Sequence, residues 1–154
     1  MSVREKVLHL LEESRCGFKL IGHPRTISAQ EAAKVAGSKV EEVAKSLILI
    51  GDKQPVVAVV MGDQKLDPKK LKQLKGIKDL RFANPEEVIK YSGCPIGSVP
   101  PFGKLMDLPI VVDDSILQVE EVVFAAGTDV ESVRMKRVDF LEILGGEVVD
   151  LKRE

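Results

Sequence analysis

Apolar residues recur at helical spacing through the first segment, where Val3, Val7, Leu10 and Leu11 are separated by charged positions. That period predicts an amphipathic helix over Val3 to Arg15, ended by Gly17, with Phe18 to Ile21 as a short strand behind it. Ser28-Ala29-Gln30-Glu31 has the spacing of a capping box and opens a second helix that stops at Gly37. Val43 to Ile50 and Pro55 to Met61 are rich in β-branched residues and are separated by Gly51-Asp52-Lys53-Gln54, which predicts a hairpin. Asp67-Pro68 and Asn84-Pro85 each place a capping side chain before a proline, so helices are expected over Lys69 to Leu74 and Glu86 to Tyr91. Lys78 to Phe82 reads as a short strand between them. Leu108 to Val112, Glu120 to Ala126, Ser132 to Arg137 and Val148 to Leu151 read as further strands, with a short helix over Val138 to Leu144.

Helices and strands interleave without repeat, low-complexity tract or linker, so the expected fold is one α+β domain over residues 1–154. The exception to regular patterning is Gly93 to Gly103, reading GCPIGSVPPFG, with three glycines and three prolines. Ordered loops of this composition shape pockets, and their glycines bring backbone amides close to a ligand. The rival reading is a rigid loop that only makes a connection, with Phe102 plugging the core.

Composition narrows the class. With 154 residues, 44% hydrophobic and 31% charged, the chain can bury a core without a metal or disulfide staple. Its longest apolar run, Val56 to Met61, is far too short to span a membrane, and the N-terminus has no signal-peptide pattern, so a cytoplasmic location with no membrane partner is expected. Cys16 and Cys94 form neither a C-x-x-C nor a disulfide pattern. A net charge of −1 argues against a protein that coats nucleic acid unspecifically. Residues 65–81 nevertheless carry seven Lys or Arg against two Asp, and Lys69, Lys70 and Lys72 are the expected phosphate contacts unless this is only a solvated helix face.

Familiar catalytic signatures are missing: the chain has no G-x-S-x-G elbow, phosphate-binding loop or H-E-x-x-H, and His9 and His23 have no metal-ligand spacing, so no metal or other cofactor is expected. In an alternating strand Lys45 shares a face with the apolar Leu47 and Leu49. It is either a strand-end lysine reaching for solvent or a cation held for a phosphate or developing oxyanion.

His23-Pro24, Glu31-Ala32-Ala33, Ala44-Lys45-Ser46-Leu47, Val57-Ala58-Val59-Val60, Leu66-Asp67, Ala83-Asn84-Pro85-Glu86-Glu87-Val88 and Gly93-x-x-x-Gly97-Ser98-Val99-Pro100-Pro101-Phe102-Gly103 occur in an informative order. Together with Leu108-Pro109, Val112-Asp113 and Ala125-Ala126-Gly127-Thr128, they resemble the YbaK/EbsC-like aminoacyl-tRNA deacylases over about residues 18–140. The related editing domain is the one inserted in bacterial prolyl-tRNA synthetases. The resemblance implies a mixed, strongly curved, barrel-like sheet with packed helices. It also implies a free-standing trans-editing enzyme, metal-independent, that hydrolyses the ester of mischarged tRNA, with cysteine or alanine on tRNA for proline as the expected substrate. The aminoacylated acceptor end, and with it prolyl-tRNA synthetase, are the implied partners.

Carried over position by position, Lys45 matches the essential lysine, and Gly93 to Ser98 match the loop holding the aminoacyl carbonyl and terminal adenosine, with Gly97 and Ser98 nearest the chemistry. His23, Ser46, Pro100, Phe102, Asp113 and Gly127 match pocket-forming positions. The chain departs from many bacterial members at Ala125-Ala126-Gly127-Thr128-Asp129, where they read Ser-Gly-Gly, a basic pair and an acid, and Ser132 stands where that acid falls. Two competing readings are a non-catalytic module that recognises a tRNA end or amino acid, and a hydrolase using Cys94 as nucleophile.

Overall fold

The computed structural model describes residues 1–154. Five α-helices lie at Val3–Glu13 (α1), Ala29–Ala36 (α2), Pro68–Lys75 (α3), Pro85–Ser92 (α4) and Arg137–Leu144 (α5). Eight strands lie at Phe18–Gly22 (β1), Ala44–Gly51 (β2), Gln54–Met61 (β3), Leu80–Phe82 (β4), Ile110–Asp113 (β5), Glu121–Ala125 (β6), Glu131–Lys136 (β7) and Glu147–Val149 (β8).

Local chemistry sets most of these boundaries. The side chains of Ser28, Asp67 and Asn84 accept hydrogen bonds from amides in the first turns of α2, α3 and α4. Each such cap contributes about 1 kcal/mol. Gly37, Gly76 and Gly93 close the same three helices in the left-handed conformation. Between β2 and β3, Gly51 pairs with Gln54, and Asp52 and Lys53 take φ of 48° and 71°. Positive φ at both central residues gives the twist that suits a two-residue hairpin. The Asp52 carboxylate in turn accepts from the amides of Lys78 and Asp79, tying the hairpin tip to the approach of β4.

The strands form two sheets, β1-β7-β6 and β4-β2-β3-β5-β8, and not the single strongly curved, barrel-like sheet expected from the resemblance. β2 takes its ladder bonds from β3 and β4 and meets β6 at one bridge, Val43 with Val123. No ladder continues from that bridge, so the two sheets meet there as a fork and not as a closed wall. α2 packs at the fork through Ala33 against Val43 and Val123.

The main core fills the space between the sheets. Ala44, Ile48, Val57 and Val59 of β2 and β3 meet Val122 and Phe124 of β6, Val7 and Leu11 of α1, and Phe140 of α5. Phe102, Phe124 and Phe140 form its aromatic centre, with ring centroids 5.2 to 5.6 Å apart. Truncating one such ring costs about 3–5 kcal/mol. The opposite face of the five-stranded sheet is covered by Leu71 of α3 together with Leu66 and Leu151.

Candidate active site

A cleft of about 330 Å³ occupies the fork. β2 supplies Ala44 to Leu47, the β1–α2 connection supplies His23, Thr26 and Ile27, the glycine-proline loop supplies Ile96, Gly97 and Val99, and β6, β7 and the turn between them supply Phe124, Ala125, Ser132 and Thr128. The cleft therefore lies where β2 and β6 run side by side without a ladder between them.

Lys45 stands on this cleft, partly buried, with no carboxylate within ion-pair distance. Burial pushes its ammonium below the ordinary lysine range, while the field of Asp63 acts the other way and that of Lys65 adds to the depression. The result is a cation short of water and short of a counter-ion, facing a cavity.

Gly97 faces it from the loop. Its φ is +91°, a conformation that favours glycine, and a Cβ there would make only an ordinary contact, 3.5 Å from the carbonyl oxygen of Ile27. The N–H groups of Ile96 and Gly97 have no intramolecular partner. Ser98 does not face the cleft. Its side chain is fully buried and its hydroxyl donates to the Pro95 carbonyl at 2.9 Å, fixing the turn that presents Gly97.

His23 closes the third side. Its Nδ1 lies 2.8 Å from the Pro24 carbonyl, which can only accept, so Nδ1 carries the hydrogen. Nε2 is hydrogen-bonded to the Ser132 hydroxyl at 2.9 Å. Ser132 is buried, and its neighbour Glu131 forms a two-pronged ion pair with Arg4 of α1. Ser46 contributes a buried hydroxyl with no hydrogen-bond partner.

Other expected site positions lie elsewhere. Phe102 is in the aromatic core and Pro100 is buried without lining the cleft. Gly93 ends α4, and Gly127 packs against Val3 and Arg4 of α1. Asp113 is fully buried at the far end of β5, where it accepts from the amides of Leu151 and Ser115 and lies 3.8 Å from Lys152 Nζ. Its chemistry is that of a knot holding the C-terminal segment. Cys94 is buried, with Sγ directed at the Gly127 carbonyl and its thiol pushed up by burial, so the geometry of a nucleophile is absent. Conversely, Thr26, Ile27 and Thr128 line the cleft and were not anticipated. A threonine or isoleucine in a connection carries no distinctive sequence signal.

The expected phosphate contacts divide. Lys70 is bound by Asp150 at 3.0 Å and by the Lys152 carbonyl at 2.7 Å, so its charge is already used inside the fold. Lys69 and Lys72 on the same helix make no ion pair.

A model of the aminoacyl-tRNA editing domain matches residues 23–143. The multifunctional Ser/Thr-tRNA deacylase ProXp-y of Escherichia coli K12 is 28% identical over 97% of this chain and 92% of its own length. A proline--tRNA ligase of Citrifermentans bemidjiense is 30% identical over 77% of this chain, which spans about a fifth (20%) of that enzyme. A crystal structure of a candidate trans-editing enzyme for prolyl tRNA synthetase superposes with a TM-score of 0.88 at 35% identity, covering 100% of this chain and 99% of the other. No helix is long and apolar enough to cross a membrane.

Proposed function

The chain belongs to the aminoacyl-tRNA editing domain family, and we propose that it acts in trans as a one-domain deacylase that hydrolyses the ester between a small, wrongly attached amino acid and tRNA. The observation that carries this reading is Lys45, a desolvated cation without a counter-ion on the wall of the cleft. A tetrahedral oxyanion is the missing partner. The Gly97 amide on the opposite wall is a second donor for it, and the loss of one such donor typically costs about a hundredfold or more in rate.

The reaction adds water to the ester carbonyl, breaks the carbonyl–ribose bond and delivers a proton to the departing ribose oxygen. An α-ammonium group already activates the ester, so orientation and oxyanion stabilisation suffice, with the neighbouring ribose hydroxyl supplying proton transfer. Replacement of that hydroxyl by hydrogen is expected to slow the reaction sharply, and an unchanged rate rules this route out. His23, held between the Pro24 carbonyl and the Ser132 hydroxyl, shapes the wall beside the aminoacyl group. No metal is needed in this scheme.

The cleft is also lined by the hydroxyl-bearing residues Thr26, Thr128 and Ser132. That lining favours a substrate side chain able to hydrogen-bond, as in serine and threonine, the amino acids in the name of the Escherichia coli relative. Cysteine and alanine on tRNA for proline belong in the same panel. Lys69 and Lys72 are assigned to acceptor-stem phosphates, with prolyl-tRNA synthetase as the enzyme served.

Hydrolysis of seryl-, threonyl-, cysteinyl- and alanyl-tRNA by wild type and Lys45→Ala, in chelator throughout, tests the reading. Clearance of at least one ester by wild type and not by the variant is the expected result. Binding of tRNA without hydrolysis of any ester would replace the enzyme by a recognition module.

A further inference from the structure

β2 leaves a short stretch of its edge open, and the open stretch lies in the cleft. The two-residue turn makes Gly51 and Gln54 a closing pair, and Val43 C=O accepts from Gly62 N–H at 2.7 Å. Odd-numbered residues of β2 therefore spend their backbone groups on β3, and even-numbered residues turn theirs outward. Ile48 C=O accepts from Ala83 N–H, and the pairing with β4 runs only from Leu49 to Gly51. On the other side, β-pairing with β6 is limited to the bridge between Val43, just before β2, and Val123. Ser46 lies between these two limits, so its N–H and C=O look into the cleft. Its Oγ is buried and has no partner either. An open strand edge and a buried hydroxyl without a partner meet at one residue, and a ligand carrying several donors can satisfy both.

Resting on the deacylase reading, we infer that Ser46 is the subsite for the substrate's α-ammonium group, which donates to Ser46 C=O and Oγ. The assignment follows from polarity. Lys45 and the Gly97 amide are donors and take the carbonyl oxygen, whereas an ammonium needs acceptors, and Ser46 offers two unused ones on the same strand as Lys45. The protein is thereby specific for aminoacyl esters with a free α-amino group. Esters whose nitrogen is blocked, or replaced by oxygen, lose charge-assisted hydrogen bonds and are spared.

Non-hydrolysable probes separate this subsite from the chemistry. The α-ammonium probe is 3′-(L-alanylamino)-3′-deoxyadenosine, and its lactyl counterpart carries a hydroxyl in place of the ammonium. Calorimetric titration of wild type is expected to show the alanyl probe binding on the order of tenfold tighter or more. In Ser46→Ala, checked for unchanged circular dichroism, that preference is expected to shrink severalfold. Equal affinities in wild type, or no binding of either probe, overturn the subsite, and a preference unchanged in Ser46→Ala overturns the part given to Oγ. Failure of wild type to hydrolyse any aminoacyl-tRNA, with the ammonium preference intact, overturns the deacylase reading and leaves the subsite standing.

Discussion

Lys45 and Lys70 are both drawn partly out of water, yet their surroundings are opposite. Lys70 is met by Asp150, by the Lys152 carbonyl and, at 3.7 Å, by Glu154, and its hydrogen bond to Asp150 raises its pKa. Lys45 is partly buried on the cleft wall without gaining a carboxylate, and that burial lowers its pKa. A lysine whose anion is supplied by its own chain is a fastening. A lysine kept without one is a cost to folding that only a ligand or a transition state can offset. The contrast explains why charge counting along the sequence groups Lys70 with the functional cations while the fold removes it from them.

The sharpest way to break this contrast is to delete both ammonium groups in turn. Lys45→Ala is expected to lower deacylation about a hundredfold or more without lowering the melting temperature. Lys70→Ala is expected to lower the melting temperature and leave deacylation near wild type. A Lys45 variant that is less stable, or a Lys70 variant that is inactive, reverses the assignment.

Acidity sharpens it further. Because Lys45 has a depressed pKa and acts as a cation, activity is expected to fall as pH rises through that value, below the ordinary lysine range, once spontaneous ester hydrolysis is subtracted. In Lys45→Arg any residual activity should lack this alkaline limb. The Lys70–Asp150 pair behaves differently. Asp150 is lowered chiefly by its hydrogen bond from Lys70, so its contribution to stability holds above the ordinary carboxylate range and is lost as pH falls through its folded pKa. Lys70 is raised, so its contribution is complete below its unfolded pKa and lost as pH rises through the folded one. The difference in melting temperature between wild type and Lys70→Ala should therefore be flat from about pH 5 to 10 and shrink on both sides.

The smallest expected effect is that of the exposed cations of α3. Lys69→Glu with Lys72→Glu should weaken tRNA binding and flatten its dependence on salt, with kcat little changed. An identical salt slope in wild type and variant removes α3 from the tRNA interface.

What was legible in the sequence follows the range of the interactions. Ser28, Asp67 and Asn84 bond to amides two or three residues away, and their helices begin where the caps predict. The β2–β3 hairpin is likewise local. The three short 3₁₀ turns, at Val40–Glu42, Gly103–Leu105 and Asp114–Gln118, carry no comparable periodic signal and were not anticipated. The fork depends on a single long-range bridge, Val43 to Val123, which no periodicity reports, and the curved-sheet expectation failed there. At the site, Lys45, Ser46, His23 and Gly97 were reached through their motifs and do share the cleft. Asp113 and Lys70 lie away from the cleft and are held by Leu151 and Asp150, 38 and 80 residues away, which no local pattern reports.

The N-terminal helix extends the site beyond the residues that the family model matches. Val3 and Arg4 sit against Gly127 and Val3 against Gly93, while Arg4 grips the glutamate beside Ser132. Val7 and Leu11 are wholly inside the core. The recognisable module and the working module therefore have different borders: trimmed to residues 23–143, the protein would keep its motifs and lose the buttress behind two loops that flank its cleft. Fusions and truncations of this protein should respect the second border.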